Sequence, residues 1–339
     1  TSDNVSSRAY GVSAEDERVG GYRTNEDNQS NNEQPIDDNT ILSEPINSNS
    51  NELNYNLKNK EPIALTRGQR KEANAKVQEL IKKPIEEITP ADKEILRLHT
   101  GDGGLDEVTE GSFNQHFTSY KTISSIYTAL DNSGFKFDKV LEPAVGSGNF
   151  IGFAPNKTWD VVDIDNTNIE VVRRLYPQVR KVHNETFETF TGKNYDLVIS
   201  NVPFASATTL KREYVMTIKP QFKAIHNFYF AHALDKVKDN GMLVFMTSTS
   251  TLDGSTEAKK LREYIITKAD VLGTFRLPEN SQRANAHTDT MIDIIFLQKR
   301  PDGVESRQNE MNQKFVNILE FDGYPINNHL IEIGRASCR

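Results

Sequence analysis

Six short apolar runs, interleaved with helical stretches, constrain this chain more than any other feature. DKVLEP, WDVVDI, YDLVIS, GMLVFMTS, ADVLGTFRL and MIDIIFLQKR each suit a buried strand. Between them NIEVVRRLYP, HNFYFAHALDKVKDNG and EAKKLREYIITK suit helices, ended by Pro177, Gly241 and a polar turn. Nearly continuous apolar strands alternating with helices predict a mostly parallel sheet covered on both faces. One α/β domain is therefore expected over residues 135–300.

The flanks read differently. Residues 1–61 are dominated by Asn, Ser, Asp and Glu, with apolar residues such as Ile36, Leu42 and Leu53 standing singly. So little apolar surface cannot offset the entropy of ordering a chain, and a disordered linker is expected there. The first 60 residues carry 11 acids and 5 bases, so most of the net charge of −8 lies in this segment and the body is close to neutral. A polycation that coats nucleic acid is excluded, although a local basic groove is not.

Residues 62–134 are expected to form a small helical cap. Ala73, Val77, Leu80 and Ile81 recur at helical spacing. Thr89 can cap a second helix, with Pro90 at its first position and Asp92 three residues after the cap. Gly101, Gly103 and Gly104 interrupt the chain before a third helix over about Ser119–Leu130, which presents Ile123, Ile126, Tyr127 and Leu130 on one face.

After residue 300 no further domain is recognisable, so 301–331 is expected to begin a truncated C-terminal region. Residues 332–339, EIGRASCR, resemble a translated sequencing adapter, and the chain opens on Thr1 rather than Met, so a fragment is expected. Cys338 is the one cysteine, which excludes an internal disulfide or a thiolate metal site and favours a reducing cytoplasm. No run of about 18 apolar residues is present, so no membrane-spanning helix is predicted.

Two strand ends carry chemistry. In VLEPAVGSGNF, residues 140–150, a buried strand runs into a loop with Gly146 and Gly148 and then towards a helix. Glycine lets backbone approach a ligand closely, and a helix start offers unpaired N–H groups. About 15–17 residues on, WDVVDI ends in Asp163, followed by Asp165. An acid at the end of the second strand can accept both hydroxyls of a ribose. A nucleoside-containing cofactor at the switch point of a parallel sheet is the stronger reading, and a tight strand–helix turn the plainer one. The absence of G-x-x-x-x-G-K-[ST] disfavours a nucleoside triphosphate.

In DLVISNVPF the strand delivers Asn201, Val202, Pro203 and Phe204 to the same edge. The Asn201 side-chain oxygen and the Val202 carbonyl can both accept from one amino group, making its nitrogen more tetrahedral and its lone pair more available. Phe204 offers a stacking face worth about 1–3 kcal/mol per base. An Asn-capped turn stiffened by Pro203 explains the same residues, and on spacing alone both readings stand.

Phe117-Thr118-Ser119, then LEPAVGSGNF, then Asp163, then SNVPF follow the order found in DNA adenine-N6 methylases, which the chain resembles. Closer still, ANAKVQELIKK, ILRLHTGDGGL, HNFYFAHALDKVKDNGMLVFMTSTSTLDG and RLPENSQRANAHTDTMIDIIFLQKR are similar to the N6-methylase module of very large phage and conjugative-element proteins, often fused to helicase-like regions. The resemblance covers about residues 62–300. It implies a class I S-adenosylmethionine-dependent methyltransferase, a Rossmann-like, seven-stranded, mostly parallel sheet with a small helical N-terminal extension.

By that resemblance Phe117, Thr118 and Ser119 contact the methionine end of S-adenosylmethionine, and Gly146 and Gly148 lie under it. Glu142, followed by Pro143, orients the loop, Asp163 holds the ribose, and Phe187 occupies the adenine-stacking position. Asn201, Val202, Pro203 and Phe204 form the catalytic motif that holds the target base. Ser119 stands where the family usually has Pro, Thr186 where many members have an acid, and Val202 where many have Pro.

The implied reaction is methyl transfer to the exocyclic nitrogen of an adenine flipped out of DNA, with modification of a mobile element's own DNA as its purpose. A target-recognition or helicase region elsewhere in a longer chain is the implied partner. The rivals are transfer to a protein glutamine or an RNA guanine, and a non-catalytic DNA-binding module of the same fold. His226 and His232 do not share a helix face, so metal is not expected. His287, Lys211 and Arg212 suit ordinary polar surface better than DNA contacts.

Overall fold

Seven strands make one sheet: β1 (Lys139–Glu142), β2 (Thr158–Asp163), β3 (Lys181–Asn184), β4 (Tyr195–Asn201), β5 (Val237–Ser248), β6 (Ala269–Leu277) and β7 (Ile292–Lys299). Their order is β3-β2-β1-β4-β5-β7-β6. Neighbours from β3 through β5 are parallel, whereas β7 runs antiparallel to both β5 and β6. The structure is a computed structural model describing residues 55–60, 65–101, 118–203, 219, 221–254, 256–277 and 291–330. β1 leads outward to β2 and β3 on one side, and β4 and β5 lie on the other. The order thus reverses between β1 and β4, where a crevice opens at the carboxyl ends of such strands.

The period of two along each strand divides the core. Val140, Val161, Leu197, Ile199, Val244 and Met246 face one hydrophobic cluster, while Leu141, Val162, Val198, Leu243 and Phe245 face the other. The first cluster is closed by α1 (Arg67–Leu80), α2 (Pro90–Leu96), α3 (Tyr120–Asn132), α4 (Asn149–Phe153) and α5 (Asn166–Leu175). The second is closed by α6 (Ile225–Ala233), the short α7 (Ser250–Asp253), α8 (Thr256–Lys268) and α9 (Asn309–Val316). Thr89 and Asp92 form a reciprocal capping box at the start of α2, with Pro90 at its first position.

Several boundaries differ from the expectation. The described helices of the 62–134 segment share the sheet's own core, for Val77, Leu96 and Ile123 lie in one cluster with Val140 and Trp159. Three short amphipathic helices have too little apolar area to close on one another, so their stripes are covered by the sheet. Residues 301–330 are likewise part of the layer: Phe315 of α9 is in the second core, and Asn327 is fully buried. Asn327 lies in a separate hairpin of β8 (Ile318–Phe321) and β9 (Tyr324–Asn327).

The helix expected through residue 241 stops at Ala233. Val237 instead pairs with Tyr195, and after a bulge containing left-handed Asn240 (φ 61°) the strand resumes at Met242 opposite Leu197. Strand β3, with only half-buried Val182 and His183 at its centre, has too weak a pattern to be found from sequence.

The linker boundary at residue 61 also moves. Tyr55 and Leu57 are buried in the first core, and the Leu57 N–H donates to the Gly152 carbonyl at 2.8 Å. Leu57 sits where a Cβ on Gly152 would be, so the glycine makes the seat. Tyr55 Oη and Lys60 Nζ both donate to Glu94 of α2. Averaging composition over sixty residues hides these two side chains. Leu57→Ala is expected to lower unfolding free energy by about 2–5 kcal/mol, read by denaturant titration. The remainder of 1–61, and residues 332–339, lie outside the described residues.

Candidate active site at the carboxyl edge of the sheet

β1, β2 and β4 are adjacent in the sheet, so their carboxyl ends bring three separated sequence segments together. The loop after β1 turns through Gly146 (φ 53°) and Gly148 (φ 75°) in the left-handed region that glycine tolerates. A Cβ on Gly148 would approach the Tyr176 ring to 2.8 Å. The loop is tied to the end of β2 by the Val145 N–H, which donates to the Val162 carbonyl at 3.1 Å.

Asp163 ends β2 and organises the centre. Its Oδ2 accepts from the Gly146 N–H and its Oδ1 from the Asp165 N–H, each at 2.9 Å. Each carboxylate oxygen can accept more than one hydrogen bond, so both keep capacity for a ligand hydroxyl. Burial raises its pKa to about 6, against the lowering effect of those backbone donors.

Glu142, ending β1, is 2% exposed, and its Oε2 has no hydrogen-bond partner among the described residues. Burial, and next the charge of Asp163, push its carboxyl well above the ordinary range. A buried carboxyl oxygen without a protein donor is costly.

Thr118 and Ser119 are brought to the same loop. The Thr118 carbonyl accepts from the Asn149 side-chain amide at 3.4 Å. Ser119 is the N-cap of α3, its Oγ accepting from the Thr122 N–H at 3.2 Å. That capping role accounts for serine at this position. Phe117, the third member of the segment, lies outside the described residues.

Asn201 ends β4 opposite Met246 of β5. The next residue is held by the same strand, for the Val202 N–H donates to the Met246 carbonyl at 3.1 Å and the valine side chain is buried. Pro203 follows, half-buried; Phe204, His287, Lys211 and Arg212 lie outside the described residues.

Phe187 is corrected by the structure. Its ring is buried in the second core, 5.0 Å from the Tyr229 ring and 4.8 Å from His232, rather than presented for stacking. An apolar ring just after a strand is drawn into whichever core lies beneath it, and here the rings of Phe190, Tyr229 and His232 supply one. Thr186 beside it is engaged locally, its carbonyl accepting from the Thr189 hydroxyl at 2.9 Å.

Other residues escaped sequence reasoning. Ile164, next to Asp163, is 67% exposed, an apolar face left open at the strand end. Its carbonyl accepts from the Asn184 amide at 3.1 Å, which holds its backbone in place. Fully buried Ser200 donates to the Ala144 carbonyl at 3.3 Å, fastening the end of β4 to the glycine loop. A large apolar residue directly after the strand-end acid was the one available signal for Ile164, while Ser200 gave none. His226, kept neutral near a pKa of about 4 by burial, has Nε2 3.3 Å from Ser250 Oγ. His232, similarly depressed to about 4 by burial, lies between Phe187 and Phe228.

Residues 155–282 match the family model of the Eco57I restriction-modification methylase. That stretch is less than half of the chain and includes Asp163, Phe187, Asn201 and Phe204. No curated protein matches the chain. Among solved structures it is similar to a Listeria monocytogenes protein described as a class I S-adenosylmethionine-dependent methyltransferase. The identity is 16% over 69% of this chain and 81% of that one, with a TM-score of 0.50. It is also similar to a Vibrio vulnificus protein described as the modification subunit of a type I restriction enzyme. That match has 12% identity over 73% of this chain and 65% of the other, just under two thirds of its length, with a TM-score of 0.52. The fold is that of the class I S-adenosylmethionine-dependent methyltransferases.

Proposed function

We propose that the chain transfers a methyl group from S-adenosylmethionine to the exocyclic N6 of adenine in DNA. The observation that carries this reading is the juxtaposition of Asp163, the glycine loop and Asn201 at the ends of three adjacent strands. The family match over residues 155–282 supports a restriction-modification methylase.

The residues present suit this cofactor. Asp163 retains acceptor capacity for the two ribose hydroxyls, and Gly146 and Gly148 let the backbone approach closely. Glu142 Oε2, without a hydrogen-bond partner among the described residues, suits the polar demand of such a ligand, with Thr118 and Ser119 bordering the loop. Ile164 replaces Phe187 in this reading as the apolar face for the cofactor's adenine.

When bound, S-adenosylmethionine supplies a methyl group on an already activated sulfonium. The protein therefore contributes alignment and electrostatics more than a strong base. Asn201 Oδ1 and the Val202 carbonyl accept hydrogen bonds from the two N–H groups of the target amino group, whose nitrogen releases one proton to water once it has taken the methyl, and Phe204 stacks on the base. Removing adenine from the duplex costs a few kcal/mol, which these contacts offset. Residues 135–300 are the catalytic domain in this reading. A target-recognition or helicase region of a longer protein supplies sequence choice, and the modified DNA is that of a mobile element in a cytoplasm. No described helix is long and apolar enough to cross a membrane.

Tritiated cofactor offered with DNA, RNA and protein together tests the assignment. Label recovered as N6-methyladenine from DNA is expected; label in RNA or protein but not DNA would overturn it. A folded chain that binds no cofactor would favour the non-catalytic module.

The acidity of Asp163 makes a second expectation. Ribose hydroxyls donate to the ionised carboxylate, so protonation competes with the cofactor. With a pKa of about 6, affinity should be flat above about pH 7 and weaken about tenfold by pH 5. Calorimetry across that range reads it, and a pH-independent affinity would remove Asp163 from the ribose.

A further inference from the structure

The amino edge of the sheet, opposite the candidate active site, holds a cavity of about 480 Å³. Two turns and a short segment build it. Gly134, left-handed at φ 73°, follows α3 and turns the chain, so that Phe135, Lys136 and Phe137 lead towards β1. The turn closed by the Lys157 N–H on the Ala154 carbonyl at 3.2 Å leads likewise into β2. The segment anchored by buried Leu57 adds Lys58 to the lining.

The apolar part of the lining is aromatic. The Phe137 ring lies nearly parallel to Tyr127, with centroids 6.4 Å apart, and to Phe135, at 5.9 Å. Tyr127 is fixed by its hydroxyl, which donates to the Phe150 carbonyl at 3.0 Å. Phe135 and Phe137 are only half-buried, so protein does not close the stack. Rings arranged in this way can take a further planar ring.

The polar part is basic. Lys58, Lys136 and Lys157 line the cavity against one acid, Asp131, leaving an excess of two positive charges there. Lys157 Nζ donates to the Phe137 carbonyl at 2.8 Å and sits 4.8 Å from the centre of that ring. An ammonium so held keeps two further N–H donors. Lys58 and Lys136 are exposed, and neither forms an ion pair among the described residues.

We propose that this cavity binds a free nucleoside monophosphate, with its base on the Phe135–Phe137 pair and its phosphate among the three lysines. The volume is that of an ordinary small-molecule site. A phosphate monoester carries about −1.5 to −2 charge at neutral pH, which the excess positive charge complements. A neutral aromatic ligand would leave the lysines unused, and inorganic phosphate would leave the rings unused. Asp163 and Asn201 stand at the other ends of the strands, so this site does not rest on the methyltransferase reading.

The test is calorimetric titration of the full chain with adenosine 5′-monophosphate, with S-adenosylhomocysteine present in excess to fill the crevice at the other edge. One nucleotide should bind per chain, with a Kd below about 1 mM. Adenosine and inorganic phosphate each carry half of the chemistry and should bind at least about tenfold more weakly. Lys58→Glu combined with Lys136→Glu should weaken the nucleotide at least about tenfold. Both lysines are exposed, so the variant should fold, which a thermal melt checks. Phe135→Leu keeps an apolar side chain against the core and should weaken binding about tenfold through the lost ring.

A folded chain that binds no nucleotide at about 1 mM would overturn the proposal. So would inorganic phosphate binding as tightly as the nucleotide, or an affinity untouched by reversing the two lysines. A 5′-phosphorylated single-stranded oligonucleotide that needs the same lysines, when the free nucleotide does not bind, would overturn it in favour of a nucleic-acid strand. Nucleotide binding that depends on Lys58, Lys136 and Phe135 in a chain that binds no S-adenosylhomocysteine would support this site and count against the methyltransferase reading alone.

Discussion

Asn201→Ala is expected to leave cofactor affinity within about twofold of the wild type while lowering methyl transfer about a hundred- to a thousandfold. Asn201 ends β4, where its backbone is paired with Met246 and the following residue is anchored by a hydrogen bond to the same strand. The side chain can be truncated without loosening that anchor, because both ladder bonds are made by backbone. What is lost is the oxygen that accepts from the target amino group as its nitrogen becomes tetrahedral. That interaction strengthens towards the transition state, so the loss falls on kcat. Single-turnover transfer on DNA, alongside cofactor calorimetry, separates the two quantities. Retained transfer would remove Asn201 from the chemistry, and a parallel loss of cofactor binding would make it a structural residue of the crevice.

Asp163→Ala is expected to weaken cofactor binding about a hundredfold, from the loss of two charge-assisted hydrogen bonds. A second consequence follows from the internal contacts of the carboxylate. It accepts from Gly146 and Asp165, so its removal leaves the glycine loop one tie to β2 fewer, the Val145–Val162 backbone bond remaining, and the first turn of α5 without one of its restraints. Asp163→Asn keeps one acceptor oxygen and should fall between wild type and alanine. Circular dichroism and a thermal melt accompany the calorimetry, because a ligand-site effect requires the sheet to remain intact. Both variants are best made in the chain that retains Tyr55 and Leu57. A fragment starting at residue 61 would lose two side chains of the first core, and its failure to bind would report on folding.

These outcomes bear on different links. Asn201 tests the chemistry at the end of β4, and Asp163 tests the cofactor at the end of β2. Failure at Asn201 leaves the cofactor site at Asp163 standing.

The strand–helix alternation, the glycine loop, Asp163 and Asn201 were all legible in the chain because each depends on local pattern. Apolar runs choose strands, glycines choose left-handed turns, and the end of a parallel strand places its last side chain at the carboxyl edge. Thr89, Pro90 and Asp92 announced the start of α2 for the same reason, since a capping box needs only four consecutive residues. Other features depended on partners far away in sequence. Phe187 looked like a stacking surface, but Tyr229 and His232 from α6 enclose its ring. Leu57 looked like linker until Gly152 provided its seat. Ser119 looked like a departure until it proved to cap α3.

His99 and Asn168 are 69 residues apart and fall in no motif, so only the fold brings them to 2.9 Å. The chain alone determined its layers and which polar side chains stand at the strand ends, because secondary structure and edge position follow from periodicity. The tertiary structure decided which side chains are enclosed, which are left open, and which donors reach the acid. Burial and hydrogen bonding belong to pairs of residues, and no single stretch of sequence contains both members.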